Sequence, residues 1–222
     1  MGAQMLVVND LVAGYQNQAV AVINALSLEP GQAALLLGPS GAGKTTILLT
    51  LAGLLPRLSG DVRIDGQDPY AQTPRDRDRF RGTHIGFMFQ ELNLVRGLNV
   101  LDNLLLVPFA CRKPQDKNRA LALLERLEIR ELAQVPVGKI SRGQAQRVAL
   151  ARAVMISPKL LIVDEPTASL DDNSTDIVIA LLLEMATETG AALLVATHDG
   201  RVKARIENQI VLAPKYLTQA VS

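Results

Sequence analysis

The stretch GPSGAGKT at residues 38–45 constrains the fold more than any other part of the chain. It fits the spacing G-x-x-x-x-G-K-[ST] and directly follows the apolar run AALLL at 33–37. A buried strand that ends in such a loop and passes into a helix is the setting in which this pattern binds phosphate. Gly38, Gly41 and Gly43 let the backbone wrap around phosphate oxygens. Lys44 is placed to reach the β- and γ-phosphates, and the Thr45 hydroxyl to ligate Mg²⁺. Pro39, Ser40, Ala42 and Thr46 complete the expected nucleotide-contacting set.

Three more runs share the character of 33–37: IGFMF (85–89), LLIV (160–163) and ALLVAT (192–197). Each is short, apolar and bounded by polar residues or glycine, as strands covered on both faces are, so an α/β fold with a mainly parallel sheet is predicted. Open sheets of this kind bind ligands at the C-terminal ends of their strands. The residues standing there are Gln90, Asp164 with Glu165, and His198. Two adjacent carboxylates at the end of an apolar strand are costly unless a cation or a hydrogen-bond network needs them. Asp164 is therefore read as holding Mg²⁺ through water, and Glu165 as polarising the attacking water. A lone histidine reads as structural, but the place of His198 beside these other groups favours function.

The N-terminal segments QMLVVNDLVAGY and AVAVINALSLEPG look antiparallel, and GDVRIDGQD carries a turn at Asp65-Gly66. From 91 to 155 the pattern is helical, with Ala120, Leu123, Leu124 and Leu127 on one face and Pro108, Pro114 and Pro136 as punctuation. The reading is one domain over 1–222: a nucleotide-binding core (1–90 and 156–222) with an N-terminal antiparallel β region, and an inserted helical subdomain (91–155).

Composition narrows the classes. The 23 basic and 22 acidic residues are interspersed and leave a net charge of +1, which argues against a nucleic-acid partner gripped by bulk electrostatics. Cys111 is the one cysteine, without a CxxC or a neighbouring histidine, so it reads as an ordinary small residue in a reducing compartment. No apolar run reaches bilayer-spanning length and the start lacks a signal-peptide pattern, so a cytoplasmic chain with no direct membrane insertion is expected. The run PRDRDRFRG (74–82) reads as a solvated, self-paired charge face.

One segment does not fit a single phosphate site. In KISRGQAQRVALARA (139–153), Ser141 and Gln144 form S-x-x-Q, which alone is a helix capping box. A helix N-terminus is also an anion site, and the chain already has a better one. Taken in order, the loop 38–45, Gln90, Ile140-Ser141-Arg142-Gly143-Gln144, Asp164-Glu165, Ser169-Leu170-Asp171 and His198 resemble the ATPase subunits of ABC transporters over nearly the whole chain.

That resemblance implies a P-loop NTPase core that uses ATP and Mg²⁺. It implies catalytic roles for Lys44, Gln90, Glu165 and His198, metal contacts from Thr45, Gln90 and Asp164, and nucleotide contacts from Ser141, Gly143, Gln144 and Asp171. It places Tyr15 against adenine, although Tyr15 reads nearly as well as a plain strand-end residue. In this family two ATPase domains pair head to tail, and the signature helix of one covers the γ-phosphate held by the other. The second anion site then serves a second copy of the chain.

There is a departure: Arg142 stands where the L-S-G-G-Q pattern has its first glycine, and Ile140 where it has leucine. An altered but functional site is expected, provided that Arg142 points away from the nucleotide. The segment RGTHIGFMFQELNLVRGLNVLDNLLL is most like the group serving lipoprotein release, macrolide efflux and cell division. This implies an integral membrane permease subunit as partner, a peripheral place on the cytoplasmic face of the inner membrane, and export or mechanical coupling. A regulatory ATPase of the cell-division kind is the alternative. Leu92, Leu94, Leu98 and Val100 read equally as the cleft for the partner's coupling helix or as core. Nucleic-acid-maintenance relatives interrupt the head with long coiled coils or zinc modules. Here Gln90 and Ser141 are 51 positions apart, with no heptad tract or cysteine cluster between them. No N-K-x-D pattern of GTPases is present.

Overall fold

The computed structural model describes residues 4–167 and 172–212, and of 172–174 the backbone alone. β1 (Leu6–Tyr15) and β2 (Gln18–Leu28) pair antiparallel. Gln16 and Asn17 join them at φ of 47° and 64°, the left-handed two-residue turn whose twist suits a hairpin. β3 (Ala33–Leu37) leads through the glycine loop into α1 (Lys44–Leu51), and β4 (Arg57–Ile64) returns to pair with β1. The expected turn follows, with Asp65 and Gly66 at φ of 49° and 73°. Next come α2 (Pro74–His84), β5 (Ile85–Met88), α3 (Val100–Ala110), α4 (Lys117–Arg126) and α5 (Arg142–Val154). The chain closes with β6 (Leu160–Asp164), α6 (Asp172–Thr189), β7 (Ala192–Ala196), α7 (Gly200–Lys203) and β8 (Gln209–Val211).

Five strands form one sheet in the order β5-β6-β7-β3-β8, every neighbouring pair parallel, while β2-β1-β4 form a separate antiparallel sheet. The α/β class read from the sequence is the one observed. Period-two side-chain alternation divides the core into two layers. Leu35, Leu37, Leu161, Val163, Leu193 and Val195 pack with α3, α4, α5 and α6. Ala34, Leu36, Leu160, Ile162, Leu194 and Ala196 pack with α1 and the antiparallel sheet. Burial on both faces is why these strands are continuous apolar runs.

The charged run 74–82 forms α2. Thr73 caps it by accepting the Asp76 N–H, and Pro74 sits where its missing N–H costs nothing. Arg79 pairs with Asp76 and Arg81 with Asp78, so the face is self-paired as expected.

The route to the site runs through β5, and β5 lies hard against α5. A Cβ added to Gly86 would stand 2.2 Å from the Ala153 carbonyl oxygen and 2.9 Å from Pro158 Cγ. Gly86→Ala should therefore destabilise the chain by about 1–3 kcal/mol, as overpacking does. It should lower the urea midpoint with an unchanged denaturant slope, and a midpoint equal to the parent's would show that the helix and strand are not in this contact.

Candidate active site

β3, β6 and β7 end at the same level, and β5 hands on to Gln90 beside them. A cavity of about 550 Å³ opens there, walled by Gly38, Pro39, Ser40, Gly41, Gly43, Lys44, Thr45, Thr46, Gln90, Asp164, Glu165, His198 and Val20. The loop keeps its shape through glycine: Gly41 and Gly43 stand at φ of 77° and 91°, where a side chain is strained. Lys44 folds back over the loop and donates from Nζ to the Gly38 carbonyl at 2.8 Å and the Pro39 carbonyl at 3.3 Å. Its ammonium is thereby held over the loop, while the first N–H groups of α1 have no acceptor within the helix. Ala42 lies buried behind the loop and outside the cavity wall.

Asp164 ends β6 only 3% exposed. Its Oδ2 accepts from the Thr45 hydroxyl at 2.8 Å, and its Oδ1 is buried with no partner among the described residues. Burial pushes the carboxyl above its ordinary value, the adjacent Glu165 adds to this, and the Thr45 hydrogen bond and Lys44 partly offset it. A carboxylate with one orphaned oxygen beside a hydroxyl is a donor set for a hard, oxygen-liking cation. The residues therefore fit Mg²⁺, which takes one or two protein ligands and fills the rest with phosphate and water.

Glu165 is held from three sides. Its N–H donates to the Ala196 carbonyl at 2.8 Å. Its Oε2 accepts from the Thr197 hydroxyl at 3.0 Å, and its Oε1 lies 2.9 Å from His198 Nδ1, which assigns the ring proton to Nδ1. Its backbone is left-handed, φ 50°, a strain of about 1–3 kcal/mol that persists where surroundings over-determine it. The Glu165 side chain is 10% exposed and that of His198 79%, so the carboxylate is sheltered and the imidazole open to the cavity. A fixed carboxylate beside a phosphate loop is suited to take a proton from water.

Two residues of this arrangement were not read from the sequence. Thr197 stands directly before His198 at the end of an apolar strand, and a hydroxyl there was the available signal. Val20 reaches the wall from β2 and looks like any strand residue. Next to His198, Asp199 accepts from the Thr167 hydroxyl at 2.8 Å and from Arg201 at 2.6 Å. The Arg201 hydrogen bonds, opposed by burial, hold its carboxyl well below the ordinary range.

Tyr15 lies at the exposed end of β1, outside the cavity wall. Ser141, Gly143 and Gln144 also lie outside it, at the start of α5, where the capping box is formed. Gln144 Oε1 accepts the Ser141 N–H at 2.8 Å, and Ser141 Oγ accepts the Gln144 N–H at 3.2 Å. Arg142 is exposed on the first turn. Asp171 lies outside the described residues, as do Ser169 and Leu170.

A second, larger groove of about 640 Å³ runs between α2, β5, α3 and α5, lined by Phe87, Phe89, Val107 and Ala110 with arginines around them. Leu92, Leu94, Leu98 and Val100 do not line it: Val100 is fully buried, and Leu92 and Leu94 pack on the core. No helix among the described residues is long and apolar enough to cross a membrane.

The raised Asp164 carboxyl has a testable cost. The folded chain binds this proton more tightly than the unfolded one, so stability falls as pH rises from the ordinary carboxylate value through the raised one. In magnesium- and nucleotide-free buffer at pH 7, Asp164→Asn should gain stability, because the amide carries no charge to be buried. Below about pH 4 the gain should vanish. Urea titrations at the two pH values check this, and a gain independent of pH would contradict it.

A profile of the ABC transporter family matches residues 23–168. The chain is 38% identical over 201 residues to the lipoprotein-releasing system ATP-binding protein LolD 1 of Rhodopirellula baltica, covering 88% of each. It is 39% identical over 200 residues to LolD 2 of Rhodospirillum rubrum, covering 87% of this chain and 86% of that one. Among solved structures it superimposes on the dimeric bacterial ABC transporter cassette MJ0796 with a TM-score of 0.82, at 28% identity over 94% of each chain. A dimeric post-hydrolysis state of MJ0796 bound to ADP and Pi gives the same score at 30% identity. With its phosphate loop, paired carboxylates and strand-end histidine gathered at one cavity, the chain belongs to the ABC transporter family and is one of its ATP-hydrolysing cassettes.

Proposed function

We propose that this cassette drives an export or mechanically coupled transporter of the lipoprotein-releasing kind, through closure of two copies around MgATP. The observation that carries the mechanism is the Glu165 carboxylate, fixed by Thr197 and His198 in the same cavity as Lys44 and Asp164.

Lys44 exchanges its two carbonyl acceptors for phosphate oxygens, a charge-assisted contact in place of neutral ones. Glu165 takes the proton of the attacking water, with Thr197 and His198 keeping its two oxygens in place. His198, mostly exposed, presents the rest of its ring to the γ-phosphate. Thr45 and Asp164, with Gln90, would hold Mg²⁺, which when bound neutralises charge on the phosphates.

The start of α5 supports the two-copy reading. In the capping box, Ser141 Oγ uses a lone pair and keeps its proton, so it remains a donor for a phosphate brought by another copy. For that contact Arg142, exposed on the first turn, must leave Ser141 and Gly143 clear. ATP bound between copies favours the closed state, and hydrolysis removes part of that attraction.

The export assignment rests on the relatives named for lipoprotein-releasing systems. With the cassette on the cytoplasmic face of the inner membrane, an integral membrane permease subunit would seat its cytoplasmic segment in the 640 Å³ groove, where Phe87 and Phe89 stack 4.1 Å apart as an apolar floor.

Glu165→Gln should bind MgATP and run as a dimer in light scattering, with turnover reduced about a hundredfold or more. Lys44→Ala should bind ATP roughly 10- to 100-fold more weakly, the worth of a charged hydrogen bond. A Glu165→Gln chain that turns over at the parental rate, or stays monomeric at saturating MgATP, would contradict the mechanism.

A further inference from the structure

Arg152, on the last turn of α5, reaches out of its helix to the segment that follows Gln90. Its Nη1 donates to the Asn93 carbonyl at 2.6 Å and its Nη2 to the Leu92 carbonyl at 2.7 Å. Two successive carbonyls converge on one guanidinium because Asn93 is left-handed, φ 48°, a conformation asparagine accepts more readily than most residues. Burial lowers the pKa of this arginine from its ordinary value. Among the described residues no carboxylate pairs with it, so backbone dipoles alone hold the charge. A partly desolvated cation grips the acceptors it has, because releasing them leaves it uncompensated.

Gln90 sits between two fixed points. Met88, two residues before it, is 1% exposed at the end of β5. Leu92, two residues after it, is tied to Arg152 through its carbonyl and packs on the core through its side chain. Farther along, the buried Asn103 holds both polar groups of Val95, accepting its N–H at 2.8 Å and donating to its carbonyl at 3.2 Å. Between Met88 and Leu92 the chain has little slack, and where Gln90 stands in the nucleotide cavity depends on where Leu92 is held.

We propose that Arg152 is the positioning residue for Gln90. The inference rests on the reading of Gln90 as a group that meets the nucleotide's cation and water. It also gives α5 a second task. The helix carries Ser141 at its N-terminus and Arg152 eleven residues on, about 16 Å along a rigid axis. A shift of its Ser141 end is thus delivered, through two hydrogen bonds, to Gln90 in the cavity of the same chain. The guanidinium also forms part of the 640 Å³ groove wall, so the link lies within reach of whatever fills that groove.

The test uses Arg152→Met, which keeps the apolar stem and removes the donors, and Arg152→Lys, which keeps the charge without the fork. Urea titration first confirms that both fold. Arg152→Met should lower kcat for ATP hydrolysis roughly 10- to 100-fold, the cost of a misplaced catalytic group. The KM for ATP should stay within about threefold, since the phosphate loop is untouched, and Arg152→Lys should recover part of the loss. In a Gln90→Ala background the same Arg152→Met change should cost less than about twofold, because the group it positions is gone. An equal loss in both backgrounds would overturn the proposal, since an arginine that only supports the fold acts regardless of Gln90. A second readout needs no turnover: hydrogen exchange of the nucleotide-free chain. Peptides covering 89–95 should exchange at least about tenfold faster in Arg152→Met, with α1 unchanged. Unchanged exchange in 89–95 would overturn the proposal, whereas a parent chain without ATPase activity would remove the functional reading and leave this arm standing.

Discussion

The hydrogen bond from Thr45 to the buried Asp164 carboxylate fixes the geometry on which the rest of the site depends. It joins residues 119 positions apart and ties the first turn of α1 to the end of β6. β3, which leads into α1, does not neighbour β6 in the sheet, because β7 lies between them. What brings them together is register: Leu36 pairs with Ala196, and Ala196 pairs with Asp164, so one row across three strands ends all of them at one level. Met88 pairs with Val163, so β5 ends one row earlier and the chain runs on toward Gln90. A slip of one residue in any pair would turn the alternating apolar sets away from their two cores. The core thus fixes the site as firmly as the site's own bonds do.

That arrangement carries a cost in stability and a use. Asp164 keeps an orphaned oxygen and a raised pKa, and Glu165 keeps a left-handed backbone. Neither serves the fold. Both are what a phosphate site needs: an anionic oxygen awaiting a cation, and a carboxylate that does not wander. The strain is offset by the double hold of Thr197 and His198 and by the tie to Ala196.

The cavity wall was largely legible in the sequence because its parts sit at strand ends, and strands buried on both faces announce themselves as apolar runs. The loop 38–45, Asp164, Glu165, Gln90 and His198 were all reached by that route, and the structure gathers them at one cavity. What was not legible has physical reasons. β8 is three residues long and mostly exposed, so it carries no pattern. Val20 enters the wall because the antiparallel sheet packs over the loop, a tertiary fact with no local trace. The leucines after Gln90 were ambiguous between cleft and core, since periodicity reports burial and does not tell what does the burying. The Arg152 contacts run to backbone carbonyls, which every residue has, so no side-chain pattern could reveal them.

Within one chain the start of α5 lies outside the cavity at the phosphate loop, and its capping box is satisfied locally. The central claim is that a second copy gives that helix its purpose. The structure of Glu165→Gln with magnesium and ATP tests it most directly. The account predicts two nucleotides at the junction of two copies, each γ-phosphate held by Lys44 of one copy and met by Ser141 and Gly143 of the other. A nucleotide enclosed by one chain alone, with Ser141 open to solvent, would contradict it.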